Sequence, residues 1–112
     1  MTAITIKQGT DSGLRWLVND GSTGTPWDFA GWSVRSQVRQ SAGSADVLHE
    51  WSTVLGTAAA DASGYVTLTW DAATTSAWDW AEGVYDIELI SPGGKVIRLD
   101  AGRITVSREI TR

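Results

Sequence analysis

GVYDIELISPGGKVIRL, Gly83 to Leu99, is two runs of alternating apolar residues joined by Ser91-Pro92-Gly93-Gly94. A double glycine after a strand has two uses. As a phosphate cradle it must run into a helix N-terminus, where free N–H groups and the helix dipole face the anion. As a turn it reverses the chain, with proline presetting φ and a glycine taking a positive φ. Here the glycines lead straight into a second alternating run, so the stretch reads as a β-hairpin and as scaffold. Tyr85, Ile87 and Leu89 share one face, and Ile97 and Leu99 come from the returning strand.

The same period of two runs through most of the chain. ITIK places Ile4 and Ile6 together, and LRWLVND places Leu14, Trp16 and Val18 together. WSVRSQVRQ turns Trp32, Val34, Ser36 and Val38 one way and Ser33, Arg35, Gln37 and Arg39 the other. DVLHEWSTV carries Val47, His49 and Trp51 on one side, and YVTLTW carries Val66, Leu68 and Trp70. With the hairpin this makes about seven short antiparallel strands, the number expected of a β-sandwich. Asn19–Gly24, Ser41–Asp46 and Asp61–Gly64 are the turns between them, rich in residues that tolerate positive φ or bond their own backbone.

Two places break the alternation. DAATTSAWDWAEG, Asp71 to Gly83, is alanine-rich, opens on a capping aspartate and closes on glycine, which predicts a short helical connector. WDFAG, Trp27 to Gly31, reads as a smaller turn. In the last strand Ile97 and Leu99 are odd-numbered whereas Ile104 and Val106 are even-numbered. For all four to face the core, one residue must be absorbed between them, and Ala101-Gly102 is the expected site of a β-bulge.

The bulk composition excludes several classes. A chain of 112 residues is one domain by size, here taken as residues 1–112, and needs no staple to fold. It has no cysteine, so disulfides, thiolate metal sites and a cysteine nucleophile are ruled out. Nine basic against thirteen acidic residues give a net charge of −4, which offers no case for nucleic acid as a partner. No apolar run is long enough for a transmembrane helix, so no membrane partner is expected, and MTAITIKQGTDSG lacks the basic-then-apolar pattern of a signal peptide.

The groups that carry chemistry elsewhere have structural uses here. His49 is the single histidine and lies on an apolar strand face beside Trp51, where a partly buried core histidine is the simpler reading than a catalyst or metal ligand. Asp79, Glu82, Asp86 and Glu88 are close in sequence, but Asp86 and Glu88 alternate with apolar residues and so form a solvated acidic face rather than a catalytic pair. Asp61 and Asp71 sit at turn and cap positions. No catalytic residue, metal site or cofactor is expected. The seven tryptophans are the unusual feature, against one Phe and two Tyr. Trp78 and Trp80 lie in the connector, where two rings are not expected both to point inward. An exposed one would anchor a protein interface or stack on a sugar.

The C-terminal third, VYDIELISPGGKVIRLDAGRITVSREITR, resembles small tailed-bacteriophage virion proteins that are similar to the immunoglobulin-like N-terminal domain of baseplate upper proteins. Tyr85-Asp86-Ile87-Glu88-Leu89, Pro92, Gly94-Lys95-Val96, Arg98-Leu99, Gly102, Thr105-Val106-Ser107, Glu109 and Thr111-Arg112 match that family's pattern. ITIKQG, WDFAGWSVRSQVR and YVTLTWDAATTSAW fit it as well. Arg108, where the family carries proline, and the many tryptophans depart from it. The resemblance implies an immunoglobulin-like sandwich with a structural or adaptor role in the tail, baseplate or neck, assembled in the bacterial cytoplasm with copies of itself and other virion proteins. A capsid-surface decoration protein and a glycan-binding attachment module are the alternatives. Trp27, Trp78 and Trp80 are the expected docking residues, with Arg108, Glu109, Ile110 and Arg112 of a C-terminal arm at about 107–112 that needs a partner to hold it.

Overall fold

The computed structural model describes residues 2–111, and of Thr2 the backbone alone. The alternating runs form eight strands: β1 (Thr2–Lys7), β2 (Ser12–Leu17), β3 (Ser33–Arg39), β4 (Val47–Ser52), β5 (Ala58–Ala60), β6 (Tyr65–Trp70), β7 (Glu82–Ile90) and β8 (Val96–Ser107). One helix, α1 (Ala72–Ser76), joins β6 to β7. Backbone pairing sorts the strands into a five-stranded sheet, β1-β8-β7-β3-β4, and a three-stranded sheet, β2-β6-β5. This is an immunoglobulin-like sandwich: β3, β7 and β8 form the three-strand centre of one sheet, extended by β4, and β2, β6 and β5 form the opposing sheet. The expected antiparallel pairing holds except at one edge. β1 lies parallel to β8, from Thr2 opposite Gly102 to Lys7 opposite Ser107. Parallel neighbours need a long connection, and here the rest of the domain supplies it.

The core is what alternation predicts from the inward positions of both sheets. Ile4, Ile6, Val34, Val38, Ile87, Leu89, Ile104 and Val106 come from the large sheet and meet Val66, Leu68 and Ala58 of the small one. Each fully buried aliphatic side chain contributes about 1.5–3 kcal/mol relative to exposure. Ser36 is the polar inward position of β3, and its hydroxyl donates to the Asp86 carbonyl at 2.6 Å, which offsets its burial. Trp51 is 1% exposed and spans the sandwich: from β4 in the large sheet its Nε1 donates to the Thr69 carbonyl of β6 in the small one, at 3.0 Å.

The Ser91–Gly94 reversal is built as its residues suggest. Gly94 N–H donates to Ser91 O at 2.9 Å, Ser91 N–H donates to Lys95 O at 2.9 Å, and Gly94 takes φ +90°.

Four local expectations are corrected. β5 is an eighth strand, and its three alanines carry no apolar alternation to announce it. The helix ends at Ser76, well before Gly83. Trp78 N–H bonds back to Thr75 O, after which the chain straightens so that the Trp78 ring reaches the core. Gly83 instead belongs to β7, where an added Cβ would meet Val38 Cγ1 at 2.8 Å and Arg39 O at 2.9 Å. In β4 the register with β3 skips Leu48, so Val47 pairs with Arg39 and lies exposed, while His49 and Trp51 stay inward.

The bulge in β8 exists but sits earlier than Ala101-Gly102. Glu88 faces Arg98 and Ile87 faces Asp100, which leaves Leu99 without an opposite number. Asp100 suits the irregularity, since its Oδ1 accepts from Ala101 N at 2.9 Å and its Oδ2 from the Tyr85 hydroxyl at 3.2 Å. Gly102 is used otherwise, buried in the regular ladder opposite Tyr85.

Candidate functional site: an aromatic seam and an arginine-laddered sheet face

The expected docking tryptophans do not share one surface. Trp78 is 9% exposed and packs in the core, and Trp80 is half-buried, its ring 4.7 Å from that of Trp78. Both rings therefore point inward, contrary to expectation. The two rings pack on one another against the core. The Trp78 ring is covered, whereas Trp80 keeps part of its ring at the surface. Trp27 is the outer one, 36% exposed and stacked on Phe29 at 6.1 Å.

The arm is partly held by its own domain. Glu109 N–H donates to Gln8 Oε1 at 3.2 Å, and Arg108 reaches the Asp79 carbonyl at 3.4 Å. Gln8 in turn donates its amide to the Thr75 and Trp78 carbonyls, so one side chain ties β1, α1 and the arm together. Ile110 is 94% exposed. Arg112 lies outside the described residues.

Beside Trp78 the aromatic seam continues through His49 and Trp51. His49 meets Trp51 edge-on at 4.5 Å and Trp78 at 4.9 Å, and Trp51 lies 6.2 Å from Trp70. His49 Nε2 and the indole nitrogens of Trp70 and Trp80 are buried with no hydrogen-bond partner among the described residues. A cleft of about 310 Å³ opens there, lined by His49, Gly56, Thr57, Thr69, Trp70, Asp71 and Thr74. Asp71 is committed to capping α1, and the hydrogen bonds from Thr74 hold its carboxyl below the ordinary value.

Burial also holds the His49 imidazole below its ordinary pKa of 6.5, against a smaller opposing pull from Glu50. The fold thus accommodates the neutral ring. Below about pH 6.5 the unfolded chain binds the proton that the folded one resists, and stability falls as the pH drops through that value towards the folded pKa. Thermal melts at pH 7.5 and pH 5 are expected to show a loss that shrinks in His49→Phe. Equal losses in both proteins would exclude His49 as the source.

The outward face of the large sheet carries three ion pairs found among the described residues. Strand register lays three rungs across β3, β7 and β8: Arg35-Glu88-Arg98, Gln37-Asp86-Ala101 and Arg39-Val84-Arg103. Arg35 Nε donates to Glu88 at 2.7 Å, and Arg98 lies 3.7 Å from Asp86. Asp86 and Glu88, expected as a solvated acidic face, are therefore threaded between arginines. A groove of about 670 Å³ runs over these rungs. The legible signal was the parity shift in β8: Arg98 and Arg103 are five apart and would face opposite ways in a regular strand, but the extra residue at Leu99 puts both outward.

Among the described residues no group of three or more His, Asp and Glu is placed to hold a metal ion. Among the described residues no helix is long and apolar enough to cross a membrane.

No family model matches the chain, and no curated protein matches it. Among solved structures, murine CRIg is 12% identical, with a TM-score of 0.45 over 96% of this chain and 92% of that one. The extracellular domains 3–5 of Drosophila OTK are 14% identical, with a TM-score of 0.37 over 95% of this chain and 33% of that one.

Proposed function

We propose that this chain is a non-enzymatic structural or adaptor component of a tailed-phage virion that joins subunits in the tail, baseplate or neck. The observation that carries the reading is the spelling of β7, its turn and β8, YDIEL with P.GKV.RL, which resembles the C-terminal block of phage virion proteins. The geometry is compatible with such work. Val54, on the loop between β4 and β5, is 95% exposed beside an exposed Leu55, and Ile110 is equally bare on the arm. Uncovered apolar side chains at a loop tip and on a terminal arm suit docking on neighbouring subunits, where symmetric repetition turns weak contacts into avidity.

Val54→Asp and Ile110→Asp test this directly. Each side chain is nearly free of its own domain, so melting of the isolated protein should stay within about 0.5 kcal/mol of the parent. Complementation of a phage deleted for the gene should yield defective or incomplete particles with the double variant. Normal particles carrying the double variant at full occupancy would remove these residues from the assembly interface.

A further inference from the structure

The three rungs on the large sheet are not equivalent. In Arg35-Glu88-Arg98 the central residue is a carboxylate, and Arg35 already holds it at 2.7 Å. In Arg39-Val84-Arg103 the two arginines again flank β7, but the central residue is Val84. Among the described residues Arg39 has no carboxylate within ion-pair distance; its guanidinium donates to Ser44 O at 2.8 Å and Gln37 Oε1 at 2.9 Å. Arg103 has only a loose pair with Glu82 at 3.9 Å, both side chains being largely exposed. Four arginines and two carboxylates line the groove, a surplus of two positive charges on a chain whose net charge is −4.

We propose that the Arg39-Val84-Arg103 rung is a docking seat for an acidic side chain of an extended protein segment. β3 and β8 lie two strand spacings apart, about 10 Å, so the two arginines flank β7 with Val84 between them. A glutamate or aspartate of that segment takes over Val84 the place that Glu88 takes in the rung above. Guanidinium groups favour this because their planar donors match a carboxylate and shed water more readily than an ammonium. Val84 and Ala101 supply a low floor against which the segment's backbone can rest. The partner is therefore an acidic stretch of protein, and the seat sets its register by one charge.

Fluorescence anisotropy with a short labelled peptide of alternating Glu and Thr, at low salt, reads this on the intact chain. The wild type should bind saturably, with affinity falling as salt is raised. A Gln-Thr peptide should not bind. Arg39→Gln and Arg103→Gln should each weaken binding about tenfold, the loss of one charge-assisted hydrogen bond. Val84→Glu should do the same by filling the seat from within, and its unchanged or raised melting temperature will show that the fold is intact. Absence of saturable binding to the wild type, or equal affinity in Val84→Glu, overturns the proposal. Tighter binding of a single-stranded oligonucleotide than of the peptide would also overturn it, by assigning the face to phosphate.

Discussion

Trp51→Ala is expected to lower the free energy of unfolding by about 3–5 kcal/mol, the largest loss from any one side chain in this domain. The ring is fully buried between the sheets, so its removal leaves a cavity that neighbouring His49 and Trp70 cannot fill without leaving their own packing. It also strands the Thr69 carbonyl that its Nε1 serves at 3.0 Å. Trp51→Phe keeps most of the ring volume and loses the hydrogen bond with a smaller cavity, so it should cost less, about 1–3 kcal/mol. Domains of this size are stable by roughly 5–15 kcal/mol and this one has no disulfide to fall back on, so the alanine variant should unfold at markedly lower urea. A loss under about 1 kcal/mol would mean that the ring does not join the two sheets.

Gly64→Ala should cost about 2–4 kcal/mol, through backbone rather than core. Gly64 sits at φ +85°, and an added Cβ would lie 2.7 Å from Val18 O and 3.0 Å from Trp27 N. Those atoms cannot retreat, because they hold the loop ends together. Val18 N–H donates to Gly64 O at 2.8 Å, and Trp27 N–H donates to Val18 O at 2.9 Å. Gly56→Ala is the control. Its φ is +75°, but nothing lies within 4 Å of the added carbon, so only the conformational penalty of about 1 kcal/mol applies. Equal effects at the two glycines would show that the close approach at Gly64 carries no weight.

The sheet was legible wherever one face is buried and the other wet. Val34, Ser36 and Val38 in β3, and Tyr85, Ile87 and Leu89 in β7, alternate so strictly that the buried face of each strand follows from the period alone. β5 was not legible, because Ala58–Ala60 have side chains too small to mark a face; their strand is imposed by pairing with β6. The helix was legible at its start, where Asp71 accepts from Thr74 N, but its end was set by a tertiary demand, the burial of Trp78. The bulge could be inferred from parity, whereas its position depended on which side chain could serve the irregularity, and Asp100 does so.

The sites divide along the same line. Alternation places Asp86, Glu88 and Arg35 outward, yet rungs across three strands depend on register between segments about fifty residues apart in the chain, which no local pattern contains. The inward turn of both Trp78 and Trp80 is likewise a matter of tertiary packing, each ring resting on the other against the core. The arm reads as free in sequence because its partner, Gln8, is at the far end of the chain.

The most direct test of the proposed virion role is quantitative mass spectrometry of purified particles of a tailed phage whose genome carries this sequence, alongside the lysate from which they came. If the proposal holds, the protein copurifies with intact particles at a fixed copy number relative to a tail protein. Its recovery in the lysate alone, with none in particles that are complete and infective, would contradict it.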